Sequence, residues 1–325
     1  MERQRLLDFG FFPKASYTPP TYAHPESFIE EEILVGAEGW ALPATLTVPK
    51  GNGPFPALVL VHGSGPHDRD ETIGPNKPFK DLAWGLATRG IAVLRYEKRT
   101  KQYPIKCAEM IESFTVEDET IADALAAVEA LRRDKRIDQE RIFVLGHSLG
   151  GMLAPRIGVR DGKLSGLILL AANARNLADL ILEQVQYLAT LDGKIDDAEA
   201  KQIKETENMV KKIKELDIAS GEVVLGASRD YWEDLMTYDP LKIARELSLP
   251  MLILQGGRDY QVTLDDFNQW KECLSDRESV TFKLYDNLNH LFISGRGVPS
   301  PAEYQLAGNM DQTVVEDIAE WIKSH

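Results

Sequence analysis

The sequence predicts an α/β protein with a mostly parallel central sheet and helices on both faces. Three observations carry this prediction. Short apolar runs of the kind found in strands covered on both faces alternate with helical patterns from residue 57 onward. A Gly-x-Ser-x-Gly motif at 146–150 lies between a strand pattern and a helix pattern. A charged helical stretch, 174–245, interrupts the alternation and indicates an insertion.

Composition excludes several classes of partner. The chain has 325 residues, 43% hydrophobic, which suffices for a large core, and no apolar run approaches the roughly 20 residues that span a bilayer. A net charge of -14 repels phosphate backbones and anionic lipid surfaces, so nucleic acid and membranes are poor candidate partners. The first residues lack the apolar core of a signal peptide, and Cys107 and Cys273 lack metal-ligand spacing. These features predict a cytoplasmic protein with reduced thiols.

The N-terminal part reads as an irregular arm followed by a hairpin. Residues 1–25 mix prolines with aromatic residues and carry no recognisable chemistry. Residues 28–35 and 40–48 are β-rich runs joined by the turn Gly36-Ala37-Glu38-Gly39, which predicts two antiparallel opening strands.

The remaining elements follow in alternation. Strands are predicted at 57–61, 91–95, 141–145, 167–170, 251–255 and 280–284, and helices at 79–89, 116–133 and 312–323. A strand, a helical crossover and a further strand in this order favour a parallel sheet with right-handed connections.

The stretch 174–245 is predicted to be a helical cap inserted into a core formed by 26–173 and 246–325. Its clearest helix, 197–216, is studded with Lys and Glu, as expected of a mostly solvated helix. Residues 192–199 resemble the later part of a calcium-binding loop. The first and third ligand positions of such a loop would fall on Leu188 and Thr190, which carry no carboxylate, so a turn between helices is predicted there.

The motif at 146–150 fits a nucleophile elbow. Such a turn must be tight enough to lift the Ser148 hydroxyl clear of the sheet, and glycine at 146 and 150 removes side chains that would meet neighbouring backbone. A serine nucleophile needs a base within hydrogen-bond reach and a third group that orients the base. Five of the six histidines lie in the arm, in the elbow, in the glycine loop at 62–67 or at the terminus. The sixth, His290, follows a late strand pattern and is the predicted base.

The acid of the predicted triad is Asp259. It follows the apolar run 251–255 and a glycine turn, which brings it to the carboxyl edge of the sheet, after the serine and before the histidine in the chain. Asp265 and Asp266 are better placed to begin the next helix. Asp286 is too close to His290 in sequence to approach its ring from the far side.

The stretch His62-Gly63-Ser64-Gly65-Pro66 follows the first buried strand and is predicted to form an oxyanion loop. Its donor is expected to be the Ser64 amide, with Gly65 as the alternative, alongside the Leu149 amide directly after the nucleophile. The charged stretches 67–71 and 95–98 are expected to pin this loop rather than to touch substrate.

Three aromatic residues of the cap, Tyr231, Trp232 and Tyr238, have two open interpretations: they line an acyl or alcohol pocket, or they bury the cap against the core.

Taken together, the oxyanion stretch from His62, the elbow at Ser148, Asp259 and His290 resemble the α/β-hydrolase superfamily, and the resemblance extends from about Phe28 to the C-terminus. Four stretches resemble bacterial serine carboxylesterases of the EstD type: 62–79, 95–100, 146–155 and 255–262. The resemblance implies an α/β-hydrolase fold and a serine esterase without metal or organic cofactor that acts on small-molecule esters with short acyl chains.

Two other functions stay open at this point. The same triad serves aminopeptidase-like and thioesterase activities, because the acyl-transfer machinery is shared and the cap selects the leaving group. A non-catalytic binding protein on a hydrolase scaffold is the alternative from another class. Joint retention of nucleophile, base, acid and oxyanion loop argues against it.

Overall fold

A computed structural model describes residues 16–36 and 39–325. Most of the predicted arm, residues 1–15, and two residues of the predicted hairpin turn, 37–38, lie outside the described residues. The remainder of the arm, from Ser16, runs to a short 3-10 helix, Pro25–Ser27.

The described residues form one eight-stranded sheet. Its strands are β1 (Phe28–Val35), β2 (Leu42–Pro49), β3 (Phe55–Val61), β4 (Ala92–Tyr96), β5 (Ile137–His147), β6 (Gly166–Leu170), β7 (Met251–Gly256) and β8 (Val280–Tyr285). Their spatial order is β1-β2-β4-β3-β5-β6-β7-β8, antiparallel through β1, β2 and β4 and parallel from β4 to β8. The predicted fold class is confirmed.

The helices, in chain order, are α1 (Pro78–Thr88), α2 (Arg99–Gln102), α3 (Pro104–Glu109), α4 (Ala122–Arg133), α5 (Leu149–Asp161), α6 (Leu177–Ala189), α7 (Asp197–Lys214), α8 (Arg229–Thr237), α9 (Pro240–Glu246), α10 (Leu264–Leu274) and α11 (Gln312–Ser324). None of the helices in the described part of the chain combines the length and apolar character needed to cross a bilayer.

Both faces of the sheet are covered by apolar side chains, which explains why its central strands read as continuous hydrophobic runs. Along β3, Leu58 and Leu60 join the cluster that includes the buried residues of α1 and α11. Val59 and Val61 point to the opposite cluster, which is covered by α4, α5 and α10. The two-residue period of the strand therefore divides one apolar run between two cores.

Four helices, α6 to α9, lie between β6 and β7, within the stretch predicted as an insertion. The segment that resembles part of a calcium loop is a turn before α7. There the Asp196 carboxylate accepts from the Ala198 and Glu199 amides, and the Glu199 carboxylate accepts from the Asp196 N–H. This capping box satisfies the free amides of the helix start.

Candidate functional site

The nucleophile elbow has the geometry that its glycines predict. Ser148 separates β5 from α5 with φ 53 and ψ -119, a backbone conformation that costs energy for a serine and persists because the surrounding packing imposes it. A Cβ on Gly146 would lie 2.0 Å from the Gly150 carbonyl oxygen, and one on Gly150 would lie 2.5 Å from the His62 carbonyl oxygen. Only glycine fits at either position.

Asp259 and His290, predicted as acid and base, are in contact. The loops after β7 and β8 carry them to the same edge of the sheet, where His290 Nδ1 lies 2.6 Å from Asp259 Oδ2. The other carboxylate oxygen of Asp259 accepts the Gln261 and Val262 amides at 2.8 and 3.0 Å, which fixes the carboxylate in place. Both side chains are buried.

The competing carboxylates have other positions. Asp265 and Asp266 lie in the first turn of α10, as expected from the sequence, and Asp266 accepts the amides of Ala174 and Arg175. Asp286 makes no hydrogen bond or ion pair with His290 among the described residues. Asp259 is therefore the carboxylate that orients the His290 ring.

The predicted oxyanion loop, residues 62–66, passes directly beside the elbow. A Cβ on Gly63 would lie 3.1 Å from the Ser148 Cβ, and Ser64 and Gly65 share the wall of one cavity with Ser148. Within the described part of the chain, neither the Ser64 N–H nor the Leu149 N–H donates to another protein group. Both N–H groups are free to donate to a ligand oxygen, whereas the Gly63 N–H already donates to Glu71 Oε1 at 2.8 Å.

A buried Glu71–His147 pair joins the loops around the site. Glu71 Oε2 lies 2.9 Å from His147 Nδ1, and His147 Nε2 lies 3.0 Å from the His290 carbonyl oxygen. Burial raises the pKa of the Glu71 carboxyl, but the charge and contact of His147 outweigh it and hold that pKa below its ordinary value. Burial lowers the pKa of His147, but Glu71 outweighs it and the pKa is raised. Both pKa shifts favour the charged forms of the pair.

A second buried pair lies on the other side of the oxyanion loop. Lys98 Nζ donates to the Gly63 carbonyl oxygen at 2.6 Å and lies 2.8 Å from Glu119 Oε1. The remaining Glu119 oxygen accepts from the Tyr231 hydroxyl at 2.5 Å. Lys98 contacts residues 62–66 as expected of the stretch 95–98, and Glu71 does so for 67–71; that these residues hold an oxyanion stays a prediction. Glu119 was not anticipated, because a glutamate in a helical pattern reads as solvated.

The arginines of the two charged stretches brace the same region from outside. Arg95 pairs with Asp70 and Glu30, and Arg69 pairs with Glu97 at 2.8 Å. These ion pairs tie the residues that follow the oxyanion loop to β1 and to the end of β4.

An apolar cavity of about 500 Å³ opens at Ser148. Its wall includes Leu177 and Leu180 of α6 together with Tyr231 and Trp232 of α8, two of the three aromatic residues whose role was open. Tyr238 is not part of the wall: its hydroxyl donates to the Met152 carbonyl oxygen at 2.9 Å, which attaches the insertion to α5. For Tyr238 this contact favours the second interpretation, in which the residue buries the insertion against the core.

Comparisons with known proteins agree with this architecture. The family model described as Serine aminopeptidase, S33 matches residues 54–295. The chain is 46% identical over 327 aligned positions to Esterase EstD of Thermotoga maritima, covering 99% of this chain and 75% of the relative.

Solved structures of similar fold include an esterase from Pyrococcus furiosus, with TM-score 0.58 and 16% identity over 95% of this chain and 98% of the other. Est1E from Butyrivibrio proteoclasticus gives TM-score 0.56 and 18% identity over 90% and 99% of the two chains. Because the family model covers most of the chain and the fold matches, this protein is an α/β-hydrolase that belongs to the serine aminopeptidase S33 family.

Proposed function

We propose that this enzyme is a serine carboxylesterase that hydrolyses short-chain acyl esters through an acyl-enzyme intermediate on Ser148. The observation that carries the proposal is the 2.6 Å contact between His290 Nδ1 and Asp259 Oδ2, in a site where a strained elbow serine opens on an apolar cavity. The 46% identity to an esterase supports the same chemistry.

In the acylation step, His290 Nε2 takes the proton of the Ser148 hydroxyl as its oxygen attacks the ester carbonyl carbon. Asp259 keeps the Nδ1 proton in place, so that Nε2 is the free base, and stabilises the imidazolium that forms. The amides of Ser64 and Leu149 donate to the oxyanion of the tetrahedral intermediate. Collapse expels the alcohol, which receives the proton from His290.

Deacylation repeats these roles with water as the nucleophile. His290 removes a proton from the water as its oxygen attacks the acyl carbon, and the same two amides stabilise the second oxyanion. The carboxylic acid leaves as Ser148 regains its proton from His290.

The charge of the cavity wall favours a neutral ester over an amino-terminal peptide. Glu119 is the carboxylate of that wall, and its two oxygens are already engaged by Lys98 and Tyr231. A substrate ammonium entering this cavity would lose its hydration without gaining a free counter-charge, which is strongly unfavourable. The aminopeptidase-like alternative is therefore the weaker proposal.

The total volume of the cavity does not by itself explain a preference for short acyl chains. A volume of about 500 Å³ lies within the range of roughly 300–1,000 Å³ that holds drug-sized ligands, so it exceeds what an acetyl group needs. The proposed preference for short chains must therefore come from bulky side chains near Ser148, and Trp232 is the leading candidate. On this proposal, residues 174–245 act as a cap over the nucleophile.

We also propose a cytoplasmic location. Both cysteines, Cys107 and Cys273, are free thiols, as expected where glutathione keeps thiols reduced.

One assay panel tests the proposed activity. Initial rates are measured with p-nitrophenyl acyl esters of graded chain length, aminoacyl anilides and acyl thioesters, for the wild type and Ser148→Ala. We expect the highest kcat/KM on acetyl to butyryl esters and none above background in the variant. Faster turnover of anilides than of every ester would replace the esterase proposal by the peptidase one.

A further inference from the structure

Lys98 is a buried cation that touches the peptide unit behind the oxyanion loop. Its side chain is 2% exposed and lies directly after β4, where its Nζ donates to the Gly63 carbonyl oxygen at 2.6 Å. A lysine is rarely buried to this extent without a compensating charge, and Glu119 Oε1 supplies one at 2.8 Å.

The carbonyl of Gly63 and the N–H of Ser64 belong to the same planar peptide unit. Electron density drawn toward a carbonyl oxygen by a charged donor is withdrawn from the amide nitrogen of that unit, which makes its N–H a stronger donor. Among the described residues the Ser64 N–H has no protein acceptor, and Ser64 shares the cavity wall with Ser148. The charge of Lys98 therefore acts on one of the two amides assigned to the oxyanion.

We propose that Lys98 is a positioning residue that strengthens the Ser64 amide as an oxyanion donor by polarising the Gly63–Ser64 peptide unit. The inference rests on the proposed esterase function, since only an oxyanion formed on Ser148 would use that amide. Glu119 supplies the counter-charge of the lysine in a buried site, and the Tyr231 hydroxyl donates to Glu119 in turn.

Two roles of Lys98 have to be separated by experiment. A lysine that merely holds the loop in place would affect folding stability and leave the chemistry of the folded enzyme unchanged. A lysine that polarises the amide acts on the oxyanion, which is present in the transition state and absent from the bound ester. Its loss would lower kcat at nearly constant KM.

The main test uses the double variant Lys98→Met/Glu119→Gln, which removes the charge without leaving a buried carboxylate unpaired. Glu119→Gln alone isolates the effect of Glu119. Lys77→Met is the matched control, because Lys77 pairs with Asp70 at the far side of the same loop and does not contact Gly63. Each protein is assayed with p-nitrophenyl butyrate and with an alkyl trifluoromethyl ketone, which forms a tetrahedral adduct with an active serine.

We expect kcat of the double variant to fall roughly 10- to 100-fold at similar KM, because one oxyanion donor is commonly worth 100- to 1,000-fold and is here weakened, not removed. The inhibition constant of the ketone should rise by a similar factor, and Lys77→Met should stay within about twofold of the wild type. If the double variant does not fold, Lys98→Gln/Glu119→Gln keeps a neutral donor at the site and should show a smaller loss in the same two quantities.

A folded variant with a lower melting temperature but unchanged kcat and ketone inhibition would overturn the proposal. A rise in KM with unchanged kcat would also overturn it, since it would indicate a substrate contact. Ser148→Ala distinguishes a failure of the lysine proposal from a failure of the esterase proposal. If the wild type is active and Ser148→Ala is not, the esterase proposal holds even when the lysine variants behave like the wild type.

Discussion

At the scale of single residues, the proposed site depends on a few side chains whose surroundings fix their conformation. Ser148 is held in a left-handed backbone conformation that serines rarely adopt, and His290 has its Nδ1 occupied by a buried carboxylate. Asp259 in turn accepts two backbone amides and cannot rotate away. The fixed contact between Asp259 and His290 holds the ring in one orientation, which proton transfer in a transition state requires.

Replacement of the proposed nucleophile, base or acid should remove most activity without unfolding the protein. We expect Ser148→Ala and His290→Ala to lower kcat by at least roughly a thousandfold, since triad members act as a unit, and Asp259→Asn to lower it by a factor on the order of 10⁴. Initial rates on p-nitrophenyl butyrate and circular dichroism measure the two properties.

Asp286→Asn is the matched control for the acid, because Asp286 lies near His290 in sequence without bonding to it. Its rate should stay near that of the wild type. A large loss in Asp286→Asn together with a normal rate in Asp259→Asn would transfer the role of the acid to Asp286.

The Glu71–His147 pair should make stability depend on pH in a defined window. The pKa of His147 is raised above its ordinary 6.5, so its contribution is complete below 6.5 and is lost as the pH rises through the raised value. The pKa of Glu71 is lowered from its ordinary 4.5, so its contribution is present above 4.5 and is lost only as the pH falls toward the lowered value.

We therefore expect Glu71→Gln to reduce the free energy of unfolding by about 3 kcal/mol near pH 5.5, as is typical when one partner of a buried pair is removed. The difference from the wild type should shrink as the pH rises toward 9. Urea denaturation at pH 5.5, 7 and 9 measures it, with the exposed-pair variant Asp276→Asn as a control that should change little. A difference that is constant over this range would contradict the ionised pair.

At the scale of elements, the sequence predicts a strand's bounds well when the same burial pattern continues along its whole length. β1 has the predicted bounds, Phe28–Val35, because both ends coincide with a change from alternating residues to glycine or proline turns. β5 was predicted over 141–145 but begins at Ile137, since its charged first residues lie at the sheet margin and read as a loop. The start of β5 could not be predicted because the burial of its residues depends on neighbouring elements.

The predicted helix over 116–133 begins instead with a π-helical segment, Glu117–Ile121, followed by α4. Glu119 and Thr120 of this segment are buried, and Glu119 meets Lys98 and Tyr231 there. Helical periodicity cannot reveal such a residue, because its partners come from other parts of the chain. The contact between Asp259 and His290 could be predicted because strand ends in a parallel sheet meet at one edge, whereas the sequence gives no sign of the supporting pairs, whose partners are distant in the chain.

The aromatic residues of the insertion provide a test at this scale. Trp232 is 1% exposed and its indole N–H donates to the Val224 carbonyl oxygen at 2.8 Å, so Trp232→Ala should enlarge the cavity and destabilise the protein by roughly 3–5 kcal/mol. Below its melting temperature, the ratio of kcat/KM for octanoate to butyrate esters should rise by roughly tenfold or more.

Tyr238→Phe is the control, because Tyr238 lies outside the cavity wall and this change removes only the hydrogen bond to Met152. Its chain-length profile should match that of the wild type. An unchanged profile in Trp232→Ala would mean that Trp232 does not limit the acyl group, and other wall residues such as Leu177 and Leu180 would then have to be considered.

At the scale of the whole molecule, the net charge of the protein and the local chemistry of the cavity affect different steps: the approach of a substrate and its reaction. The chain carries a net charge of -14, while the wall of the cavity, among residues 16–36 and 39–325, holds one carboxylate, which Lys98 compensates. The approach of a charged substrate is therefore governed by the summed field of the protein, and the reaction of a neutral one by the local geometry. This separation offers a way to test the remaining thioesterase alternative.

A polyanionic thioester should be repelled where its neutral counterpart is not. At about 0.01 M ionic strength the screening length is roughly 30 Å, so the whole net charge acts on an approaching coenzyme A thioester, whereas at 0.15 M it falls to roughly 8 Å. We expect kcat/KM for butyryl-coenzyme A to rise roughly tenfold between these conditions and to remain below that of S-butyryl-N-acetylcysteamine, the matched neutral thioester. Stopped-flow or steady-state rates with a thiol reagent measure both. Equal rates on the two thioesters at low salt would indicate a dedicated site for the anionic carrier and would favour the thioesterase over the esterase.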